Sequence, residues 1–299
     1  MRILISGSSG LVGRALASVL RADGHTVARL VRPGSTPSAG DVSWDPMRAT
    51  VDVAAMDGTD AVVHLGGANI AAGRWTPKRK ALLRSSRIGT TRVLVDALAN
   101  LRRKPSVFVC ASATGYYGNR GDEILTESSA PGTDFLALLA RDWEAEAVRA
   151  EQSAIRPVML RFGIILSGKG GALPKMLMPF RFGLGGRLGT GNQWMPWIAL
   201  EDSLEIIRSA IMNGQLRGPL NVVAPNPVRN TEFTRIVATV LHRPAIFPAP
   251  AFALRLAVGE MADALLASQR ALPDRLLAVG YHFRFDSLEN ALRATLAKA

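Results

Sequence analysis

MRILISGSSGLVGRALASVLRADGHTVARLVR, residues 1–32, changes character several times, and the order of those changes decides the fold. Arg2 to Ser6 is an apolar run too brief for a helix. Gly7, Gly10 and Gly13 punctuate the turn that follows. From there Leu11, Ala15, Leu16, Val19 and Leu20 fall at helical spacing, and Gly24 stops the helix. Thr26 to Val31 is a second buried run. Strand, glycine turn, helix and strand in this order predict the start of a parallel α/β sheet.

Each glycine answers a need of a turn that holds a diphosphate. Gly7 permits the tight turn, Gly10 lets the backbone approach a pyrophosphate, and Gly13 lets helix and strand pack closely. Ser8, Ser9, Leu11 and Val12 complete the turn and the helix start. The free N–H groups there, at the positive end of the helix dipole, attract phosphates. The stretch therefore reads as a dinucleotide-binding βαβ unit. Folds of this kind that prefer NAD carry an acid after the second strand, whereas an Arg accommodates the 2′-phosphate of NADP. Here Arg32 follows Val31, and no acid occurs from Thr26 to Ala39. NADP(H) is favoured, with NAD(H) as the alternative.

The rest of the chain sets bounds. Its 299 residues, 48% of them hydrophobic, are enough for one large domain or a large one plus a small one. A single cysteine, Cys110, excludes an internal disulfide framework. The chain opens on a strand rather than a charged segment plus apolar core, and no charge-free stretch is long enough for a membrane span. The expectation is cytoplasmic, with no membrane partner. The net charge of +12 comes from scattered arginines without an interleaved aromatic platform, so no nucleic-acid partner is expected. A basic pocket for an anionic cofactor or substrate accounts for it more simply. No metal is called for, the small-molecule partner is open, and so is a homodimer.

Further apolar strands are expected at Asp60–Leu65, Ser106–Ala111 and Val158–Leu166, with single long helices at Lys80–Asn100 and Phe252–Ala267. Leu82 and Leu83 are placed on the inner face of the first helix, and Arg87 near its cofactor edge, within reach of a phosphate or ribose. Thr231 and Ser287 are expected to cap the helices Glu232–Leu241 and 288–298. His64 reads as a satisfied core histidine. Ser167-Gly168-Lys169-Gly170-Gly171 looks like a phosphate loop but lacks the GxxxxGK[ST] spacing, which excludes an ATPase.

The GxxGxxG spacing of GSSGLVG, with VVHLGGANIA, SATGYYG, LRFGIIL, GLGGRLGTGNQWMPWI and PAFALRLAVGEMADALL, resembles one group. It is the atypical extended short-chain dehydrogenase/reductases, NAD-dependent epimerase/dehydratase-like proteins with a small C-terminal domain of unknown role. The resemblance covers essentially the whole chain. It implies an α/β, Rossmann-like doubly wound parallel sheet of about seven strands with a smaller C-terminal substrate domain. Residues 1–224 would form the NADP-binding part, 168–200 would contribute to the substrate lobe, and 225–299 would form a small α-rich domain. Leu65, Gly66 and Ala68 would neighbour the cofactor's phosphates and ribose, and Gly163 and Ile164 the nicotinamide. Ser112 or Thr114 would offer the hydroxyl that bonds the substrate oxygen, the register between them being open. Gln193, Trp194 and Trp197 would wall the substrate pocket.

One departure matters. The superfamily's Tyr, followed four residues later by Lys, belongs on the helix Asp134–Glu146, which has neither. Either Tyr116 or Tyr117 supplies the acid, with Arg141 or another cation in place of the Lys, or the protein binds the dinucleotide without turnover. The first is an epimerase- or oxidoreductase-like enzyme for a small polar carbonyl or sugar-like substrate. The second is a nucleotide-binding regulator acting through a protein partner, since some members are named for effects on cell or plastid division.

Overall fold

The computed structural model describes residues 1–297, so Lys298, to which the last helix was expected to run, lies outside the described residues. One eight-stranded sheet organises the chain. Across it lie Gly218–Val222, Arg156–Phe162, Val107–Ala113, Ala61–His64, Arg2–Ser6, Thr26–Val31, Val42–Asp45 and Thr50–Val51. All neighbours are parallel except the last pair. Thr50–Val51 is a two-residue strand too short to carry a periodic signal, and it raises the count above the expected seven or so.

The apolar runs are continuous because both faces of the sheet are covered. Ile3, Ile5, Val63, Val107, Val109, Val158 and Leu160 face one core, shared with the helices Leu11–Ala22, Leu173–Arg181, Leu200–Met212, Asn230–Leu241 and Leu288–Ala297. Leu4, Val62, Phe108, Cys110 and Met159 alternate onto the other face, against Thr90–Ala99 and Phe135–Val148. Asp134 caps the latter helix by accepting from Ala137 N at 3.0 Å. Arg2–Ser6 sits at the point where the strand order reverses, so Gly7 opens into the crevice beside Ala61–His64.

Several expected elements are broken. The long second helix is Pro77–Arg84, a π-turn Ser85–Gly89, and Thr90–Ala99. Its Leu82 is exposed rather than inward, while Leu83 is fully buried. Arg156–Phe162 ends at Gly163, and Ile164–Leu166 pairs instead with Trp197–Ala199. Gly163 is required there, because a Cβ would lie 2.6 Å from the Pro196 carbonyl oxygen. Helix Asn230–Leu241 takes in Thr231, whose hydroxyl donates to Gly191 O at 2.9 Å and caps nothing. The terminal helix begins at Leu288, directly after Ser287. Phe252–Ala267 is two helices, Ala251–Val258 and Met261–Leu266, split at Gly259 with φ 65°. The first has no buried residue. No helix among the described residues is long and apolar enough to cross a membrane.

Candidate functional site

The glycine turn has the geometry a diphosphate needs. Gly7 has φ 70°, and a Cβ on it would sit 2.8 Å from the Leu65 backbone. The turns after the first and Ala61–His64 strands therefore touch, which brings Leu65 and Gly66 beside Gly7. A Cβ on Gly13 would meet Gly7 O at 2.3 Å, so helix and turn lie as close as backbone permits. Ser9 and Gly10 are exposed and Ser8, Leu11 and Val12 half-buried, so the start of the helix is open from outside. Arg32 is exposed at the end of Thr26–Val31, and its side chain has no partner among the described residues. Arg29 nearby is spent on Asp41, 2.5 Å away.

Beneath the turn, His64 is fully buried and neutral. Ser6 Oγ lies 2.5 Å from its Nδ1 and Thr90 Oγ1 3.4 Å from its Nε2. Burial, with the Arg87 charge nearby, pushes it down to about 4. Arg87 itself is not a free phosphate ligand. Its guanidinium donates to the Ala68 and Leu83 carbonyls and stacks on Trp143, so it holds the 66–70 turn from behind. Its pKa falls to about 10, burial being the main cause and Arg79 the second. Ala68 N is satisfied by Ser86 Oγ at 3.1 Å.

At the sheet's next level three polar residues share one register: Ser112 beside Arg161 beside Asn221. Arg161 forks onto Glu144, with Nε–Oε1 2.9 Å and Nη2–Oε2 2.8 Å. Ser112 Oγ donates to the same Oε1 at 2.6 Å. Arg161 Nη1 donates to Tyr117 Oη at 2.9 Å, and that hydroxyl donates to Asn221 Oδ1 at 2.7 Å. Asn221 N in turn donates to Glu127 Oε1 at 2.9 Å.

This network corrects two expectations. Tyr117 is fully buried, with its phenol pushed up to about 12 by burial, so it is a structural residue and not the acid. Ser112 spends its proton on Glu144 and has none to offer a substrate. Thr114, two residues on, is 5% exposed and its hydroxyl has no hydrogen-bond partner among the described residues. Tyr116 is half-buried with its ring face 3.5 Å from the Arg161 guanidinium, and its hydroxyl is likewise unpaired among those residues. Arg141 pairs with Asp142 at 2.8 Å on the surface and supports no phenol. Sequence reading missed Glu144 and Arg161, although a charged residue inside the apolar run VMLRFGIIL was a signal that a buried acid must face it.

Other expected positions move as well. The N–H groups of Gly163 and Ile164 are taken by Val222 O and Pro196 O, leaving none for a cofactor. Trp197 is 1% exposed and donates to Asn226 O, so it is core and not pocket wall. Trp194 donates to Asp122 and lies between Arg229 and Arg270, each 4.7 Å from its ring, outside both clefts described next. Gln193 lines a cleft of about 330 Å³ with Asn192, Arg229 and Ser268, its amide held by Leu188 O. A larger cleft of about 340 Å³ runs from Gly115 and Asn119 to the helices after residue 250. Trp75, Phe135 and Leu136 give it an apolar wall, and Asp134, Arg255, Glu260 and Asp263 a charged rim.

Residues 3–222 match the model of the NAD dependent epimerase/dehydratase family. The chain belongs to this family. Residues 249–295 match a second model, a domain of unknown function (DUF1731). Similar proteins of the family include an epimerase family protein of Mycobacterium tuberculosis, 43% identical over 97% of this chain and 96% of its own. Another is YfhF of Bacillus subtilis, 39% identical over 99% and 98%. The structure of the human epimerase family protein SDR39U1 with NADPH superposes with a TM-score of 0.90 over 100% of both chains, at 33% identity. The extended short-chain fold is thus shared along the full length.

Proposed function

We propose that the protein is an NADP(H)-dependent oxidoreductase or epimerase-like enzyme of this family, acting on a small polar carbonyl or sugar-like substrate in the 340 Å³ cleft. The observation that carries this reading is the open glycine turn, with Arg32 at the end of the next strand free of a side-chain partner among the described residues and no acid from Thr26 to Ala39. The human relative's structure with NADPH supports the same cofactor. Gly7–Gly13 would hold the pyrophosphate and Arg32 the 2′-phosphate. Bound NADP(H) supplies or accepts a hydride.

The chain's own groups then handle the substrate oxygen. Thr114 and Tyr116 flank Gly115, which lines that cleft, and both hydroxyls lack a partner among the described residues, so Thr114 donates the hydrogen bond that Ser112 cannot. Tyr116 moves the proton at that oxygen, with the Arg161 charge against its ring. The apolar wall of Trp75 and Phe135 excludes water from one side. A second reading, a cofactor-binding regulator without turnover, rests on helix Phe135–Val148, which presents Phe135, Leu136 and Leu138 and no Tyr–Lys pair.

The test is direct. NADPH should bind in a fluorescence titration, and a panel of small carbonyls and sugar nucleotides should reveal oxidation of it. Thr114→Val and Tyr116→Phe should each then cut turnover about 10²-fold or more. Unchanged turnover in both would discard these roles, and NADPH binding with no turnover on any substrate would favour the regulator.

A further inference from the structure

The loop Ser167–Ala172 folds back onto the dinucleotide turn. A Cβ on Gly171 would lie 3.1 Å from Leu11 Cδ2, and one on Gly170 3.9 Å from Leu11 Cδ1. Both glycines have positive φ, 154° at Gly170 and 78° at Gly171, a backbone that favours glycine, and at Gly171 the approach to Leu11 is tight as well. Ser167 Oγ accepts from Lys169 N at 3.2 Å and fixes the start of the loop. Lys169 is exposed, and its ammonium has no partner among the described residues. Leu11 is the first residue of the helix that follows the glycine turn. Lys169 is thus carried on a loop packed on the first residue of that helix, at the pyrophosphate end of the proposed site. Arg32, at the end of Thr26–Val31, stands at the adenosine end.

We propose that Ser167–Ala172 is a strap across the cofactor's pyrophosphate, with Lys169 as its charge. This rests on the cofactor reading above and adds a residue to it. A pyrophosphate is common to NADPH and NADH, so the contact strengthens both equally. An arginine in the same place keeps the charge, whereas a methionine keeps the stem and loses it.

The experiment is a titration of NADPH and of NADH into the intact protein, wild type and the variants Lys169→Met and Lys169→Arg, at low salt. Lys169→Met should weaken both nucleotides by the same factor, on the order of fivefold for a solvent-exposed contact, and Lys169→Arg should restore it. The loss should shrink as salt is raised. Equal affinity of Lys169→Met and wild type for both nucleotides would overturn the strap. So would a loss confined to NADPH, because the charge would then belong to the 2′-phosphate. If wild type binds neither nucleotide, the cofactor reading fails first and the strap with it. Thermal unfolding without nucleotide should be unchanged in both variants, which separates a lost contact from a lost fold.

Discussion

Arg161 and Glu144 meet as a two-bonded fork inside the protein, their side chains 3% and 8% exposed. Burial disfavours the charged guanidinium. Glu144 reverses that and holds the charge in place, with Tyr117 adding a smaller share. The pair joins the helix Phe135–Val148 to the middle of the sheet and fixes the strand end that carries Thr114 and Tyr116.

Breaking one half should therefore cost more than losing both. Arg161→Met leaves the buried Glu144 carboxylate without its cation, with the Ser112 hydroxyl still bonded to it, and a loss of about 3–5 kcal/mol is expected. The double variant Arg161→Met/Glu144→Leu should recover much of it. Urea unfolding of the single and double variants checks this, and additive losses would show that the two charges do not depend on each other.

Tyr117→Phe should lower stability without lowering turnover. It leaves Asn221 Oδ1 and one Arg161 N–H short of a partner in the core, a loss of about 1–3 kcal/mol. A collapse in turnover with unaltered unfolding would return Tyr117 to the chemistry.

Arg32→Asp should weaken NADPH by about tenfold or more and leave NADH nearly unaffected, since it removes a charged contact to the 2′-phosphate alone. Nucleotide titrations read this directly. Equal losses for both would remove Arg32 from that site.

His64 predicts a pH dependence of stability. Its pKa of about 4 in the fold lies below the ordinary histidine value near 6.5, so between those limits the unfolded chain binds the proton more readily. Its contribution is intact above about pH 6.5 and is lost as the pH falls through 4, amounting to about 3 kcal/mol. The buried carboxyls Glu127 and Asp202 are raised by burial and act with the opposite sign, so wild type must be compared with His64→Gln. The difference in unfolding free energy between pH 7 and pH 4.5 should be smaller in the variant. An identical difference would mean that His64 is not held neutral.

Legibility followed locality. Gly7, Gly10, Gly13 and Arg32 lie within one βαβ unit, where spacing along the chain is spacing in space. Gly259, by contrast, lies inside a run whose leucines keep helical spacing, and its φ of 65° is invisible to a hydrophobic pattern. Leu256, 78% exposed, shows the same limit, because periodicity marks a face but not whether anything covers it.

The sequence by itself determined the parallel α/β fold, the glycine turn after the first strand and the absence of a Tyr–Lys pair, since each depends on residues close in the chain. Only the tertiary structure decided among the hydroxyls. Ser112, Tyr117 and Thr114 are alike in sequence, yet strand register sets Ser112 against Arg161, and helix packing delivers Glu144 to both. A hydroxyl whose proton is held by a buried carboxylate or amide cannot also serve a substrate. That distinction is made by partners drawn from distant parts of the chain.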